Sequence, residues 1–320
     1  MTNHRATAQD ELPTPDLGGA FPGPFPVSPH TEHVEAGILR WLDKFPLPVE
    51  PTSLRTLCNI TGQGVSRAVP TADRDSLILF ANLFLWLTAF DDVHGEAAAQ
   101  HDPTELKLHV RELCSILADG EVPHSDRPFA AALGDLLMRF RAQATPAQYL
   151  QLAERLRANL GGIVWEAQHL AAAESVSVDT YSTMRPDTVF VRTVMTAAQI
   201  VLGYELPETQ RSSAPVRELE TSVSNLAGWV NDLASFKLEA RQLGKGPLSL
   251  PTLLMTEHTV DLPTAFGLAA RMCERQADIA RARMTELSAS GLAPLALHAQ
   301  ALEHITHSYI WHIDHARYRP

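Results

Sequence analysis

Cysteine is scarce: the 320 residues hold three, Cys58, Cys114 and Cys273, an odd number spaced too widely for a disulfide framework or paired zinc knuckles. A reducing, cytoplasmic setting is therefore expected. Positive charge is also short, with 26 lysines and arginines against 37 aspartates and glutamates and a net charge of -11. A phosphate-backbone footprint would have to come from a local patch on an acidic molecule, so nucleic acid is not the expected partner. The first twenty residues lack the apolar stretch of a secretory signal. The longest apolar run, Leu77 to Phe90, has 14 residues and is broken by Asn82 and Thr88. That is short of the ~18 a membrane span needs, so the run reads as a helix buried in protein. What is present is a 45% hydrophobic composition, enough for a sizeable core and too much for a disordered chain.

Six prolines between Pro13 and Pro29 exclude helix there, because proline fixes its own torsion and removes a backbone donor. Residues 1–29 are expected to form an extended or mobile tail, and residues 30–320 one all-helical domain. Proline and glycine punctuate the body, and neither a period-two strand nor a repeat is visible. Helices are expected at about 31–44, 73–96, 104–118, 128–142, 146–173, 177–204, 211–243, 262–289 and 293–317. Thr145, Pro146 and Gln148 spell a cap, a first-turn proline and a capping-box acceptor, and Gly291 supplies a left-handed residue after a helix end.

Three constellations carry chemistry. After the buried helix the sequence FDDVHGE sets Asp91, Asp92 and Glu96 close together, with Asp92 and Glu96 four apart on one helix face. Such carboxylates form either a solvated acidic helix end or, joined by a hard divalent ion such as Mg²⁺, a metal site. In NDLASFKLE, Asn231, Ser235 and Glu239 recur every fourth residue, so their oxygens lie along one helical stripe roughly 12 Å long. The stripe is either a second metal site or an exposed polar face. Upstream, Arg185 precedes Pro186 within a helical stretch, which places a cation beside an expected kink.

In combination these features, with the terminal pair Arg317 and Tyr318, resemble the bacterial class I terpene synthases. The resemblance also takes in FPVSPHTEHVEAGILRWLDKF, AVPTADRDSLILFANLFLWLTAFDDVHGE, WEAQHLAAAESVSVDTYSTMR and WHIDHARY, about residues 21 to 318. It implies a single α-helical barrel or bundle that binds three Mg²⁺ ions and, through them, the diphosphate of a linear prenyl diphosphate. Asp91, with Asp92 and Glu96, would supply the aspartate-rich motif, and Asn231, Ser235 and Glu239 would hold another ion. Arg185 would sense the diphosphate, Thr188 and Val189 would stand at the family's linker and effector positions, and Arg317 and Tyr318 would close over the leaving group. Departures from the pattern are Leu238 in place of the usual lysine, with Lys237 about 100° around the helix, and Val189 in place of an effector glycine. Thr88 and Leu87 replace aromatics before the first aspartate, which leaves Phe84 as the pocket ring and His304 near the pocket floor.

The expected activity is cyclisation of farnesyl diphosphate to a terpene hydrocarbon or alcohol by a monomer or homodimer. Alternatives are a monoterpene or diterpene cyclase using geranyl or geranylgeranyl diphosphate, a trans prenyl diphosphate synthase, and a non-catalytic prenyl diphosphate-binding protein. A chain-extending synthase calls for a second aspartate-rich motif where this chain has NDLASFKLE. Trp86, Trp165 and Trp229 read as core packing.

Overall fold

The computed structural model describes residues 12–95, 103–119, 127–172, 176–243 and 246–313, and among them there are helices and no strand. In chain order the helices are α1 (Thr31–Leu42), α2 (Pro51–Ala68), α3 (Arg74–Phe90), α4 (Thr104–Asp119), α5 (Pro128–Gln143), α6 (Pro146–Ala172) and α7 (Val178–Thr188). There follow α8 (Val191–Val201), α9 (Glu208–Arg211), α10 (Ala214–Leu243), α11 (Leu250–His258), α12 (Leu262–Ser288) and α13 (Ala293–Ile313).

Local chemistry sets most starts and stops. Asp73 caps α3 by accepting from the Asp75 and Ser76 N–H groups, both at 3.0 Å. At the start of α6 the capping box is reciprocal: Gln148 N–H donates to Thr145 Oγ1 at 3.2 Å, and Thr145 N–H donates to Gln148 Oε1 at 3.0 Å. Beyond α12, Gly291 takes the left-handed φ of 74°.

Three stretches differ from the sequence expectation. Helix α2 was not anticipated, because Thr52, Thr56, Asn59, Thr61, Gly62 and Gly64 are poor or middling helix formers. It forms because Pro51 opens it, the Glu50 carboxylate accepts from Ser53 N–H at 2.8 Å, and Leu57, Ile60 and Val65 are buried. Gly64 admits α13 closely: a Cβ there would lie 3.1 Å from His312 Cε1, and Ser308 Oγ donates to the Gly64 carbonyl at 2.9 Å. The helix expected over 177–204 is two helices, and the break falls at Phe190 (φ 47°) rather than at Pro186. Proline costs α7 one backbone bond, yet Val189 N–H still donates to the Arg185 carbonyl at 3.0 Å, so the helix outlasts it. Helix α11 falls where no helix was expected, and its first-turn Pro251 and buried Leu250, Leu253 and Leu254 account for it.

Seven helices close into a ring: α2 lies beside α3, α3 beside α8, then α6, α7, α10 and α13, which returns to α2. Around this barrel α1 covers α2 and α3, α5 backs α3, and α12 backs α10 and α13. By length and composition Arg74–Gly95 could cross a membrane, but most of it is buried inside the protein as the central core helix. Trp86 is fully buried, with its indole N–H on the Phe129 carbonyl at 3.0 Å; Trp229 is buried and Trp165 half-buried against the core. Residues 12–30 carry no helix and dock on the body through buried Leu17 and Phe21 and through Phe25, whose ring stacks 4.3 Å from that of His307.

Candidate active site

The barrel holds a cavity whose two ends differ in chemistry. Oxygen-bearing side chains gather at one end: Asp91 and Asp92 from the end of α3, Glu166 from α6, and Asn231, Ser235 and Glu239 from α10. Most of the remaining lining is apolar, including Leu57 and Ile60 of α2, Phe84 of α3, Phe190 at the α7/α8 break and Leu238 of α10, with Thr61, Thr88, Tyr309 and His312 among it. Phe84 and Phe190 meet edge to face, with centroids 5.3 Å apart.

Helix α3 does not simply stop at the aspartates. It widens into a π-helical turn, Asp91–Gly95, of the kind that recurs at functional sites. Gly95 makes room there: a Cβ at that position would stand 2.3 Å from Asp91 Oδ1. On α10, Ser235 Oγ donates to the Asn231 carbonyl at 2.8 Å, which leaves the hydroxyl lone pairs for a ligand.

Arg185 lines the cavity at the oxygen-rich end and is buried. Its Nη1–H donates to Thr188 Oγ1 at 2.9 Å and lies 3.6 Å from Glu166 Oε1. Its Nη2–H donates to Asn231 Oδ1 at 2.9 Å and lies 2.6 Å from Asp232 Oδ1. Nε is buried with no hydrogen-bond partner among the described residues. Gly228 on α10 leaves the space that Arg185 fills, since a Cβ there would come within 2.7 Å of Arg185 Cγ. Burial raises the Glu166 carboxyl to about 7, against the pull of Arg185. Asp232 is raised to about 6 by the same cause, with Arg185, Leu250 N–H and Tyr181 Oη opposing it.

The cavity thus brings together Asp91, Asp92, Arg185, Thr188, Val189, Asn231, Ser235, Glu239, Phe84 and Thr88. It does not bring in three others. Leu87 is fully buried in the core and does not line the cavity, Lys237 is exposed on the outer side of α10, and His304 lines a separate cleft beside Asp73 and Tyr204. The helical register explains two of these: Lys237 lies about half a turn from the centre of the Asn231–Glu239 stripe, and His304 precedes by five and eight residues Tyr309 and His312, the α13 side chains that reach the cavity. Glu96, Arg317 and Tyr318 lie outside the described residues. Sequence reading missed Glu166, Tyr181, Asp232, Phe190 and the whole α2 wall. The one available signal for Asp232 was an acidic residue set between apolar Val230 and Leu233 on a helix.

Residues 82–278 match the family described as terpene synthase family 2, C-terminal metal binding. A (12E)-labda-8(17),12,14-triene synthase from Streptomyces cyslabdanicus is 53% identical, covering 96% of this chain and 94% of its own. The chain is a bacterial class I terpene synthase. A labda-7,13(16),14-triene synthase from Streptomyces clavuligerus is 37% identical, over 91% of this synthase and 84% of the relative. The solved linalool/nerolidol synthase from Streptomyces clavuligerus, in complex with 2-fluorogeranyl diphosphate, superposes with a TM-score of 0.79 over 93% of this chain and 99% of that one, at 23% identity. The all-α fold of the family is therefore shared, and the synthase is a lyase acting on a prenyl diphosphate.

A divalent metal fits the residues present. Every donor at the polar end is oxygen, the set a hard cation prefers, and Gly95 leaves the Asp91 carboxylate room to turn. Among the described residues no three His, Cys, Asp or Glu side chains stand close enough to hold one ion between them, so an ion on α10 would draw on the neutral oxygens of Asn231 and Ser235 beside Glu239.

Proposed function

We propose that this synthase ionises a C20 allylic diphosphate and releases a diterpene hydrocarbon. The cavity's division into an oxygen-rich end and a carbon-lined end carries this reading. Diphosphate belongs at the first end and the isoprenoid chain at the second. Asp91 and Asp92 on one wall and Asn231, Ser235 and Glu239 on the other, together with Glu96 of the same sequence motif as the aspartates, would hold Mg²⁺, three ions by family resemblance, which when bound neutralises charge on the leaving diphosphate. Arg185, in the cavity wall, presents a delocalised positive charge to the same oxygens. Its effect is greatest as the C–O bond breaks, because charge is then concentrating on the leaving group. The Phe84 and Phe190 rings face the cation with π-electrons, and the surrounding apolar walls exclude water. Lys237 has no place in this arrangement, and Arg317 and Tyr318 remain proposed diphosphate contacts.

Farnesyl diphosphate, the main expectation from sequence, gives way to the diterpene alternative, because the relatives at 53% and 37% identity are named for labdatrienes. The positions in those names narrow the substrate further. In a labda-8(17),12,14-triene the rings lie far from the side-chain diene. Departure of diphosphate places charge on the side chain, and loss of a proton from C12 then gives the diene with no ring bond formed. We therefore favour an allylic diphosphate that is already bicyclic, with linear geranylgeranyl diphosphate as the second reading. The three free thiols fit a cytoplasmic enzyme.

Incubation with Mg²⁺ and the linear C10, C15 and C20 diphosphates beside a labdane-type bicyclic C20 diphosphate, with products read by gas chromatography and mass spectrometry, tests this. A bicyclic triene from the last substrate supports the reading. A cyclised C15 product formed in preference to any C20 product would restore farnesyl diphosphate, longer diphosphates would indicate chain extension, and no product from any substrate would indicate a non-catalytic binder.

A further inference from the structure

Arg185 is a buried cation on a helix with a proline at its next residue, and its guanidinium can adopt its observed plane only if something holds it there. Its carbon lies 5.9 Å from the centroid of the Tyr181 ring, and among the described residues four side-chain oxygens stand near its nitrogens, unequally. Thr188 is neutral and lies on the same helix. Asn231 is a proposed metal ligand whose oxygen has a second task. Glu166 stands farther off, at 3.6 Å, and is partly exposed to the cavity. Asp232 is the closest, at 2.6 Å, and its side chain is 1% exposed.

Asp232 is itself immobilised. Its other oxygen, Oδ2, accepts from Tyr181 Oη at 2.8 Å and from the Leu250 N–H at 2.8 Å. Tyr181 is fully buried one turn before Arg185 on α7, and Leu250 is the first residue of α11. Three helices thus converge on one carboxylate, and among the described residues the charged group in contact with it is the guanidinium.

We infer that Asp232, clamped by Tyr181 and the α11 N-terminus, is a positioning residue that fixes the plane of Arg185 before substrate binds. The inference rests on the reading of Arg185 as a diphosphate contact. Asp232 faces Arg185 and not the cavity, since it is absent from the cavity wall that its neighbour Asn231 helps to form. Its contribution is geometric: Nη2 is drawn toward Asp232 and Asn231 and Nη1 toward Thr188, so the guanidinium is set in one plane in the cavity wall. The ion contact is a single one, Nη2 to Oδ1, made by a carboxylate whose other oxygen is held by two donors, and groups pre-set in this way need no rearrangement as charge develops.

A simpler role, charge balance alone, makes the opposite forecast. Removing a counter-charge would leave extra positive charge beside the diphosphate, strengthen binding of inorganic pyrophosphate and leave kcat alone. The test uses the full-length enzyme and its Asp232→Asn and Tyr181→Phe variants, with kcat and KM for the C20 diphosphate, pyrophosphate affinity in Mg²⁺ by calorimetry, and thermal melting. Asparagine can still accept from Tyr181 Oη and Leu250 N–H, so Asp232→Asn removes mainly the grip on Arg185. The expected result is a kcat lower by about 10²-fold with KM changed less than about 3-fold, and no gain in pyrophosphate affinity. Tyr181→Phe keeps the packing and loosens the clamp, and should lower kcat by about 5-fold or more at a melting temperature near wild type. In an Arg185→Lys background, Asp232→Asn should cost little further activity, because the geometry it protects is already gone. Wild-type kcat in folded Tyr181→Phe and Asp232→Asn, or tighter pyrophosphate binding with kcat unchanged, overturns the positioning role while leaving Arg185 in the site. If Asp232→Asn does not fold, Tyr181→Phe decides the matter alone. A wild-type enzyme that neither binds pyrophosphate nor releases it from any allylic diphosphate overturns both this inference and the function it rests on.

Discussion

Arg185 donates from Nη2 to Asn231 Oδ1 across 2.9 Å, joining the proposed diphosphate contact on α7 to the proposed metal-binding stripe on α10. The two motifs are far apart in sequence and share one hydrogen bond in the fold. Asn231→Ala should therefore disturb both the stripe and the arginine, lowering kcat by about 10² or more with little change in melting temperature. Activity lost only in step with unfolding would make Asn231 structural.

Arg185→Lys keeps the charge and loses the planar fork. Lysine's single nitrogen cannot take the places of Nη1 on Thr188 and Nη2 on Asn231 together. Pyrophosphate release measured against substrate concentration should show kcat falling by more than 10-fold, with KM less affected. Unchanged kcat with only a raised KM would reduce Arg185 to docking.

Gly95→Ala places a methyl group where the Asp91 carboxylate now lies, 2.3 Å from Oδ1. The side chain must turn away, so Mg²⁺-dependent activity should fall by about 10² while helical content measured by circular dichroism stays constant. Full activity in this variant would show that the orientation of Asp91 is not critical.

Some of this arrangement was legible in the sequence and some was not, for physical reasons. The Thr145–Gln148 capping box and the left-handed Gly291 are local, so four residues or one residue suffice to reveal them. The α10 stripe was legible because a four-residue period has a geometric meaning on a helix. Helix α2 was hidden because its stability comes from burial against α3 and α13 rather than from propensity. Phe190 was hidden because a bulky residue at φ 47° is held by its surroundings, and nothing in its own chemistry announces the break. Asp232 and Glu166 are single acids on long helices, which in sequence resemble solvated charge, and only the packing of α6, α7 and α10 shows that they face Arg185.

Phe190 yields a paired prediction. Glycine tolerates positive φ and alanine does not, so Phe190→Gly should melt no lower than Phe190→Ala although it is the smaller residue. Both lose the ring that meets Phe84 at 5.3 Å, and both should broaden the product mixture seen by gas chromatography. An unchanged product profile would remove this ring from the cation's surroundings.

His307 should make the enzyme acid-sensitive. It is buried against Phe21 and Phe25, and burial lowers its imidazole from 6.5 to about 4. The folded state thus binds this proton less readily than the unfolded chain, so the stability it contributes is present above pH 6.5 and is lost as pH falls toward 4. From pH 7 to 5 the cost is about 2 kcal/mol. His307→Phe, which keeps a ring there, should lose less stability than wild type over that window in denaturant titrations. Parallel losses would show that His307 does not titrate in this way.

The most direct measurement compares pyrophosphate release from a bicyclic labdane-type C20 diphosphate and from farnesyl diphosphate by one enzyme preparation, with Mg²⁺ and with excess chelator. The expected result is a kcat/KM at least 10-fold higher for the C20 substrate, corresponding to about 1.4 kcal/mol of transition-state preference, and no release with chelator. Equal or faster turnover of farnesyl diphosphate would contradict the C20 assignment, and release undiminished by chelator would contradict the role given to the carboxylates.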